Sequence, residues 1–161
     1  MTKKKTRYAY NGKKFEEDFR KSVPMGVFCH RLRDNAQNWA KVSNICDFFL
    51  YKTPILYMLE LKATKGKSLP FSNIRPNQLK GMLNATQEVE GVVAGFLITF
   101  YTVERTFFIE VEKANNYIEL NKRKSFPINW LEKNGIELKQ KKKISRYTFD
   151  IDTLIEDIGR G

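Results

Sequence analysis

Apolar residues recur along the chain with two different spacings, one typical of helices and one typical of strands. Phe15 and Phe19 lie four positions apart and Val23 continues the same stripe, which predicts an amphipathic helix. Asn11 is a favourable N-terminal capping residue, and Pro24 ends the helix because proline cannot continue one. Acidic residues occupy the first half and basic residues the end, as the helix dipole favours. We therefore predict a helix at residues 11–23.

Apolar runs of strand length follow this helix. We predict strands at 27–33, 43–50 and 55–62, separated by a polar loop at 34–41 and a turn at 51–54. The last of these strands begins with five consecutive apolar residues, a run that is typical of a strand covered on both faces.

The second half of the chain alternates between helical and strand patterns in the same way. After a loop at 63–73, the predicted elements are a helix at 75–89, strands at 91–100 and 106–111, and helices at 112–124, 128–134 and 150–158. This order predicts an α/β fold in which helices flank a central mixed β-sheet.

Length and composition fit one domain with a core of its own, since the chain has 161 residues and 42% of them are hydrophobic. We expect a basic arm at 1–10 and a single domain at 11–161. No apolar run is long enough to span a membrane, and the first residues lack the apolar segment of a secretory signal. Cys29 and Cys46 have neither disulfide-scaffold nor metal-site spacing. We therefore expect a cytoplasmic protein without membrane contact.

The charge of the chain is strongly positive. Twenty-nine lysines and arginines against eighteen acidic residues give a net charge of +11. A domain this basic is a candidate for a polyanionic partner, of which nucleic acid is the simplest. A soluble protein that is merely basic is the alternative, and charge alone does not exclude it.

Acidic residues interrupt two of the predicted strands at positions that can meet. Glu60 and Lys62 are two residues apart on one strand, so their side chains share a face, about 6.6 Å apart along the strand. Asp47 lies in the preceding predicted strand, and antiparallel pairing of the two brings it near Glu60. An acid inside an apolar strand is costly unless something binds it. For an isolated Glu-x-Lys sequence an exposed charge pair is the commoner explanation, and it is the addition of Asp47 that favours a site.

Two carboxylates and a lysine at one edge of a sheet fit metal-dependent hydrolysis of a phosphodiester. Mg²⁺ prefers oxygen ligands and is commonly held by one or two carboxylates together with substrate phosphate. The ion polarises the phosphate and lowers the pKa of a bound water. A lysine beside it can orient that water and stabilise the charge that develops on the phosphate oxygens.

A helix glutamate, a strand aspartate and a Glu-x-Lys sequence, in this order, resemble the PD-(D/E)XK nuclease superfamily. More specifically, the chain is similar to the RecU-type Holliday junction resolvases and their phage relatives. The segments that carry the resemblance are 12–16, 46–48, 59–65 and 69–79, with 91–100 as the next core strand and 123–127 in the C-terminal portion. The resemblance implies a restriction-endonuclease-like core and an enzyme that cleaves DNA.

The resemblance also implies which residues carry the chemistry. Asp47 and Glu60 would bind Mg²⁺, with Mn²⁺ as the alternative ion, and the backbone carbonyl of Leu61 would complete the protein ligands. Lys62 would position the attacking water.

Two further polar residues receive roles from the same resemblance. Glu16, on the first helix, would act as an outer-shell ligand or as an acid that orients water, and Glu17 is the competing choice. Without the resemblance, both glutamates are well explained as ordinary charge near a helix N-terminus. Gln78 would hold water or substrate near the metal.

Basic residues around these positions are candidates for contacts with a DNA backbone. Arg31 and Arg33 alternate along one predicted strand and share a face, and a guanidinium group matches phosphate geometry. A solvated edge strand explains them equally well. Lys65, Lys67 and Arg75 flank the predicted site, and a solvated loop is the alternative explanation for them.

The implied function is a Mg²⁺-dependent endonuclease that resolves four-way DNA junctions in recombination and repair, in a phage or a Gram-positive bacterium. A junction has two-fold symmetry, so its symmetric cleavage implies branched DNA and a second copy of the chain as partners. Family members carry a long stalk before the strand aspartate, and the interval from Glu16 to Asp47 is too short for it; a shorter projection would lie at 34–41. Two alternatives therefore stay open: a less selective nuclease for duplex, flap or single-stranded DNA, and a non-catalytic DNA-binding accessory protein of recombination.

Overall fold

Short strands and helices alternate along the chain, and the computed structural model describes them over residues 10–33 and 43–161. In chain order the elements are α1 (Gly12–Ser22), β1 (Phe28–Arg31), β2 (Phe48–Lys52), β3 (Ile55–Thr64), β4 (Ser68–Pro70), a 3₁₀ turn (Phe71–Asn73), α2 (Pro76–Glu88), β5 (Val92–Phe100), β6 (Arg105–Glu110), α3 (Val111–Leu120), β7 (Ser125–Pro127), α4 (Ile128–Asn134), β8 (Ile136–Leu138), β9 (Gln140–Lys143), β10 (Arg146–Phe149) and α5 (Ile151–Gly159). The predicted arm at 1–10, apart from Tyr10, and the predicted loop at 34–41 lie outside the described residues.

A six-stranded mixed sheet forms the centre of the fold, with the strand order β1-β2-β3-β5-β6-β8. Strands β3 and β5 run parallel, and the other neighbouring pairs run antiparallel. A parallel pair needs a long crossover connection, and α2 lies within that connection. The prediction of an α/β fold with a central mixed sheet is confirmed.

Helices cover both faces of this sheet. On one face, α1, α5 and the β9–β10 hairpin enclose a core that includes Phe15, Phe48 and Ile155. On the other face, α2, α3 and α4 enclose a second core that includes Met82 and Phe126. The sheet therefore separates two apolar layers, and its central strands are buried from both sides.

Helix α1 forms as the spacing of its phenylalanines predicts. The Asn11 side chain accepts a hydrogen bond from the Lys14 backbone N–H at 3.0 Å and so caps the helix. Phe15 and Phe19 are fully buried, and the helix ends at Ser22.

Several predicted element boundaries are wrong, because pairing between strands decides where each strand begins and ends. The predicted strand at 43–50 is in fact β2, which begins only at Phe48, so that Asp47 precedes the strand instead of lying inside it. The turn predicted at 51–54 is shorter in the structure, because Tyr51 and Lys52 belong to β2 and Lys52 pairs with Ile55.

Other segments predicted as loops or helix ends are strands. The loop at 63–73 contains the end of β3 and all of β4, and the helix predicted at 112–124 ends at Leu120. The end of β3 is extended because Ala63 and Thr64 pair with β5, and β4 forms because it pairs with β7, which begins at Ser125 shortly after the helix ends. The basic segment Gln140–Lys143, for which no element was predicted, forms β9, because it pairs with β10.

One buried carboxylate ties α1 to the β9–β10 hairpin. Asp18 is 4% exposed, and it accepts hydrogen bonds from Tyr10 Oη at 2.9 Å, Arg146 Nε at 2.8 Å and the Tyr147 backbone N–H at 2.9 Å. Burial and the neighbouring Asp18 carboxylate raise the pKa of Tyr10, so the phenol stays protonated and continues to donate. Asp18 thus joins residues far apart in the sequence.

Replacing Asp18 by asparagine should lower the free energy of unfolding by about 2–3 kcal/mol, because the new amide places an N–H against groups that are themselves donors. Chemical denaturation followed by circular dichroism measures this change. Asp152→Asn is the control, since Asp152 is exposed and its contact with Lys52 is a distant 3.9 Å; its effect should stay below about 0.5 kcal/mol. Equal effects of the two substitutions would contradict the assigned role of Asp18.

Candidate active site

A glutamate and a lysine project from the same face of the central strand β3. Glu60 is 3% exposed, and the Lys62 ammonium donates a hydrogen bond to Glu60 Oε1 at 2.7 Å. The strand alternation that predicted a shared face is therefore correct. Because Glu60 lies inside the protein, the pair is not the exposed charge pair of a strand end.

Helix α2 supplies a third polar group to this pair. The Gln78 amide nitrogen donates to Glu60 Oε1 at 2.8 Å, and the Lys62 ammonium donates to Gln78 Oε1 at 3.3 Å. Gln78 lies in the first turn of α2, which starts with Pro76 at a position where proline is favourable. The three side chains form a closed triangle of hydrogen bonds that fixes the orientation of the Glu60 carboxylate.

Asp47, the residue just before β2, approaches the same carboxylate. Its backbone N–H donates to the Leu59 carbonyl at 3.0 Å, and its side chain accepts from the Leu61 backbone N–H at 2.8 Å. Burial, and after it the Glu60 carboxylate, raise the pKa of Asp47 to about 6. Asp47 and Glu60 therefore repel each other in a partly desolvated place.

Contacts with α2 hold the segment that leads into Asp47. Asn77 Nδ2 donates to Ser43 Oγ at 2.6 Å. A Cβ at Gly81 would lie 2.5 Å from Cγ2 of Ile45, so only glycine lets the helix approach Ile45 this closely. The same helix thus positions both carboxylates, through Gln78 on one side and through the 43–46 segment on the other.

The donor set has the chemistry of a site for a hard divalent cation. Oε2 of Glu60 is the one buried side-chain oxygen or nitrogen of the described residues that has no hydrogen-bond partner. Over the same residues no group of three or more His, Cys, Asp or Glu side chains is arranged to hold a metal. Two carboxylates, completed by water, substrate phosphate and the predicted carbonyl of Leu61, are a donor set that Mg²⁺ accepts. The residues present therefore fit the ion.

The helix glutamates lie apart from this centre and have different partners. Glu16 accepts from Arg31 at 2.7 Å (Nε) and 2.5 Å (Nη2), next to β1. Glu17 accepts from Arg146 Nη2 at 2.8 Å, on the side of the β9–β10 hairpin. Of the two, Glu16 is the one that contacts β1, through Arg31. The residue after β1 also contacts the Asp47 backbone, since the Leu32 N–H donates to the Asp47 carbonyl at 2.8 Å. Glu16 thus has the better position for the role of helix acid, and that role stays a prediction.

The predicted DNA-contact residues fall into two groups. Arg31 and Arg33 line an open cavity of about 660 Å³ between α1 and β1, which also contains Glu16. Lys65, Lys67 and Arg75 are all exposed, Lys65 and Lys67 in the loop between β3 and β4 and Arg75 just before α2. No sequence signal indicated that the residues before β7 would join the second group, because only the pairing of β4 with β7 brings them there.

A family model for Recombination protein U, RecU, matches residues 10–151 of the chain. The chain therefore belongs to the RecU family. A curated relative is the SPbeta prophage-derived uncharacterized protein YotM of Bacillus subtilis strain 168, which is 32% identical over 168 residues, covering 91% of this chain and 86% of the relative.

A solved structure with a similar fold is that of Hjc from Archaeoglobus fulgidus, a Holliday junction resolvase from an archaeal hyperthermophile. The TM-score is 0.53 at 18% identity, over 78% of this chain and 95% of Hjc. At this identity the match shows the fold alone, and that fold is restriction-endonuclease-like, as predicted. None of the helices within the described residues is long and apolar enough to cross a membrane.

Divalent ions should stabilise this protein through Asp47 and Glu60. At about 100 times the dissociation constant, Mg²⁺ or Mn²⁺ should add about 2.7 kcal/mol to the free energy of unfolding, because the folded state alone presents both carboxylates together. Thermal unfolding with and without the ion measures the shift.

Asp47→Asn and Glu60→Gln should each remove most of this shift. Glu119→Gln, which changes an exposed glutamate of α3, should retain it and serves as the control. A shift of equal size in all three variants would mean that the ion binds elsewhere.

Proposed function

We propose that this protein is a divalent-metal-dependent endonuclease that resolves four-way DNA junctions by hydrolysing phosphodiester bonds. Membership of the RecU family and the fold shared with Hjc support a resolvase. The observation that carries the proposal is the convergence of Asp47 and Glu60 beside Lys62, with one buried carboxylate oxygen left without a partner. In a purely structural ion pair, that oxygen would be expected to accept a hydrogen bond. In a cation-binding site it would instead be a ligand of the cation.

In this proposal each polar side chain of the centre has a defined task. Asp47 and Glu60 hold the cation, which when bound supplies Lewis-acid activation of the phosphate and a more acidic water. Lys62 orients the attacking water and stabilises the negative charge on the phosphate oxygens. Gln78 keeps the Glu60 carboxylate and the Lys62 ammonium in place through its two hydrogen bonds. Attack by water on the phosphodiester would leave a 5′-phosphate and a 3′-hydroxyl, as the resemblance to the family implies.

The symmetry of the substrate suggests how the enzyme assembles. A four-way junction has a two-fold axis, and two coordinated cuts require two centres, so we propose that a homodimer acts on branched DNA in recombination and repair. Residues 11–161 form the nuclease domain in this proposal, and the prophage origin of YotM fits a phage setting and the cytoplasm of a bacterial host.

A less selective DNA nuclease is the second candidate. The interval between Glu16 and Asp47 contains the end of α1 and strand β1, and little chain remains there for a long projection into a junction. If no such projection is needed, the same centre can cut duplex, flap or single-stranded DNA.

Cleavage of a labelled four-way junction and of a linear duplex of the same sequence distinguishes these functions. The wild-type protein with Mg²⁺ should make paired symmetric nicks in the junction alone, and EDTA should abolish them. Asp47→Asn and Glu60→Gln should lower the rate by more than about 100-fold while junction binding remains, because they remove charge that acts on the reacting phosphate. Glu119→Gln is again the control.

The other outcomes identify the alternatives. Equal cleavage of junction and duplex would favour the less selective nuclease. Tight junction binding without cleavage, with any divalent ion, would contradict both enzymes and favour a non-catalytic accessory protein.

A further inference from the structure

A two-stranded ribbon stands beside the candidate active site. Strand β4 follows the catalytic strand β3 after a loop at 65–67 and pairs antiparallel with β7, so that Leu69 lies opposite Phe126. Each strand has three residues, which gives the ribbon a length of about 10 Å. Both central residues are fully buried, so the ribbon is anchored in the protein.

Exposed cations lie at both ends of this ribbon. They are Lys65 and Lys67 in the loop before β4, and Lys122, Arg123 and Lys124 in the segment before β7. Within the described part of the chain, none of these five forms an ion pair with a carboxylate.

Two basic residues of the C-terminal hairpin, by contrast, have acidic partners. Lys142 pairs with Glu104, and Arg146 pairs with Glu17 and Asp18. Their charges are largely neutralised by these contacts, and Arg146 has an evident structural role. The cations of the ribbon have no such role, so their positive charge is available to a ligand.

The backbone that carries these cations is held in place. The Thr102 hydroxyl donates to the Lys65 carbonyl at 2.6 Å, and the Ile128 N–H donates to the Lys67 carbonyl at 3.1 Å. At the other end the Phe71 N–H donates to the Lys124 carbonyl at 2.9 Å. Because the backbone is already ordered, less ordering is left to occur on binding.

An aromatic cluster supports the ribbon from below. Phe126 packs edge-on against Phe71 at 4.7 Å between ring centroids and stacks on Tyr117 at 5.5 Å. Tyr117 in turn stacks on Trp130 of α4 at 4.0 Å. These rings pack against Phe126 on the buried side of the ribbon, so the segments that carry the cations are attached to the hydrophobic core.

Both ends of β4 are joined to the carboxylate centre by short stretches of chain. Lys65 is three residues beyond Lys62, about 10 Å along an extended chain. At the other end the chain passes through the 3₁₀ turn to Arg75, whose carbonyl accepts from the Gln78 N–H at 3.0 Å. These short connections keep the ribbon in the neighbourhood of Glu60.

We propose that the β4–β7 ribbon binds the phosphate backbone of the DNA strand beside the bond that is cut, and that Lys122, Arg123 and Lys124 are contact residues together with Lys65 and Lys67. This inference rests on the proposed function, since it assumes that DNA occupies the carboxylate centre. One DNA strand advances about 3.4 Å per phosphate along the helix axis, so a ribbon of about 10 Å spans about three phosphates. Contacts of this kind are independent of base sequence.

The test is the salt dependence of binding to a labelled four-way junction, measured without divalent ions so that no cleavage occurs. A triple variant, Lys122→Gln, Arg123→Gln and Lys124→Gln, should bind at least 10-fold more weakly at a fixed moderate salt concentration. Each lost phosphate contact should also reduce the slope of log K against log[salt] by about 0.9, hence by about 2–3 in total.

Two matched controls separate contact from net charge and from sequence. Lys21→Gln, Lys52→Gln and Arg160→Gln together remove the same charge from exposed positions on α1, at the end of β2 and just after α5, and should leave the slope unchanged within about 0.5. Lys122→Arg, Arg123→Lys and Lys124→Arg keep the charge and should retain both affinity and slope.

The outcomes distinguish this inference from the proposed function. A reduced slope in the ribbon variant alone supports the contact between the ribbon and the DNA backbone, and a junction that is bound but not cut would overturn the proposed cleavage and not this contact. Cleavage of junctions by the wild-type protein, with equal slopes in the ribbon variant and the charge-matched control, overturns the inference and leaves the proposed function intact. Absence of junction binding by the wild-type protein overturns both.

Discussion

The rest of the structure depends on one constraint, which is that two carboxylates are held close together and largely away from water. Asp47 and Glu60 repel each other there, and the pKa of Asp47 rises as a result of burial and of that repulsion. Lys62 and Gln78 bind the same oxygen of Glu60, so the other oxygen stays open. An arrangement this costly persists only if the surrounding fold enforces it.

The sheet topology and α2 enforce it. Antiparallel pairing of β2 with β3 brings Asp47 close to Glu60 and Leu61, and the parallel pairing of β3 with β5 requires the crossover that contains α2. The helix then contributes Gln78 and a close glycine contact with Ile45, so it fixes both acids. On the opposite face, the hydrogen bonds of Asp18 attach α1 to the C-terminal hairpin and stabilise the layer under the sheet. Favourable interactions there offset the cost at the centre.

Features of the structure that depend on the spacing of nearby residues could be predicted from the sequence. The two-residue spacing of Glu60 and Lys62, and the short connection to Asp47, correctly predicted that these groups converge, and the phenylalanine stripe correctly predicted α1. Asp47 was placed inside a strand, whereas β2 starts one residue later, because the register with β3 sets that boundary.

Strands β4, β7, β8, β9 and β10 were missed for a different reason. They are three or four residues long, too short for alternation to identify them, and β9 is polar at every position. Such segments become strands only when a partner pairs with them, which no local pattern reveals. For the same reason the contact between Glu16 and Arg31 could not be read from spacing, although the choice of Glu16 over Glu17 fits the side of the helix on which it lies.

The net charge of +11 does not by itself indicate where a polyanion would bind, because that depends on where the fold places the charged residues. From composition alone, the basic run at 139–143 and the basic residues at 122–124 are equivalent candidates for DNA contact. In the fold, Lys142 has a carboxylate partner, and the hairpin that contains it is attached to α1. The residues at 122–124 have no ion pair with a carboxylate within the described chain, and they lead directly into β7, whose partner β4 follows β3 along the chain. The position of these residues in the fold, rather than the number of charges, is therefore what singles out the ribbon as the place where a polyanion would bind.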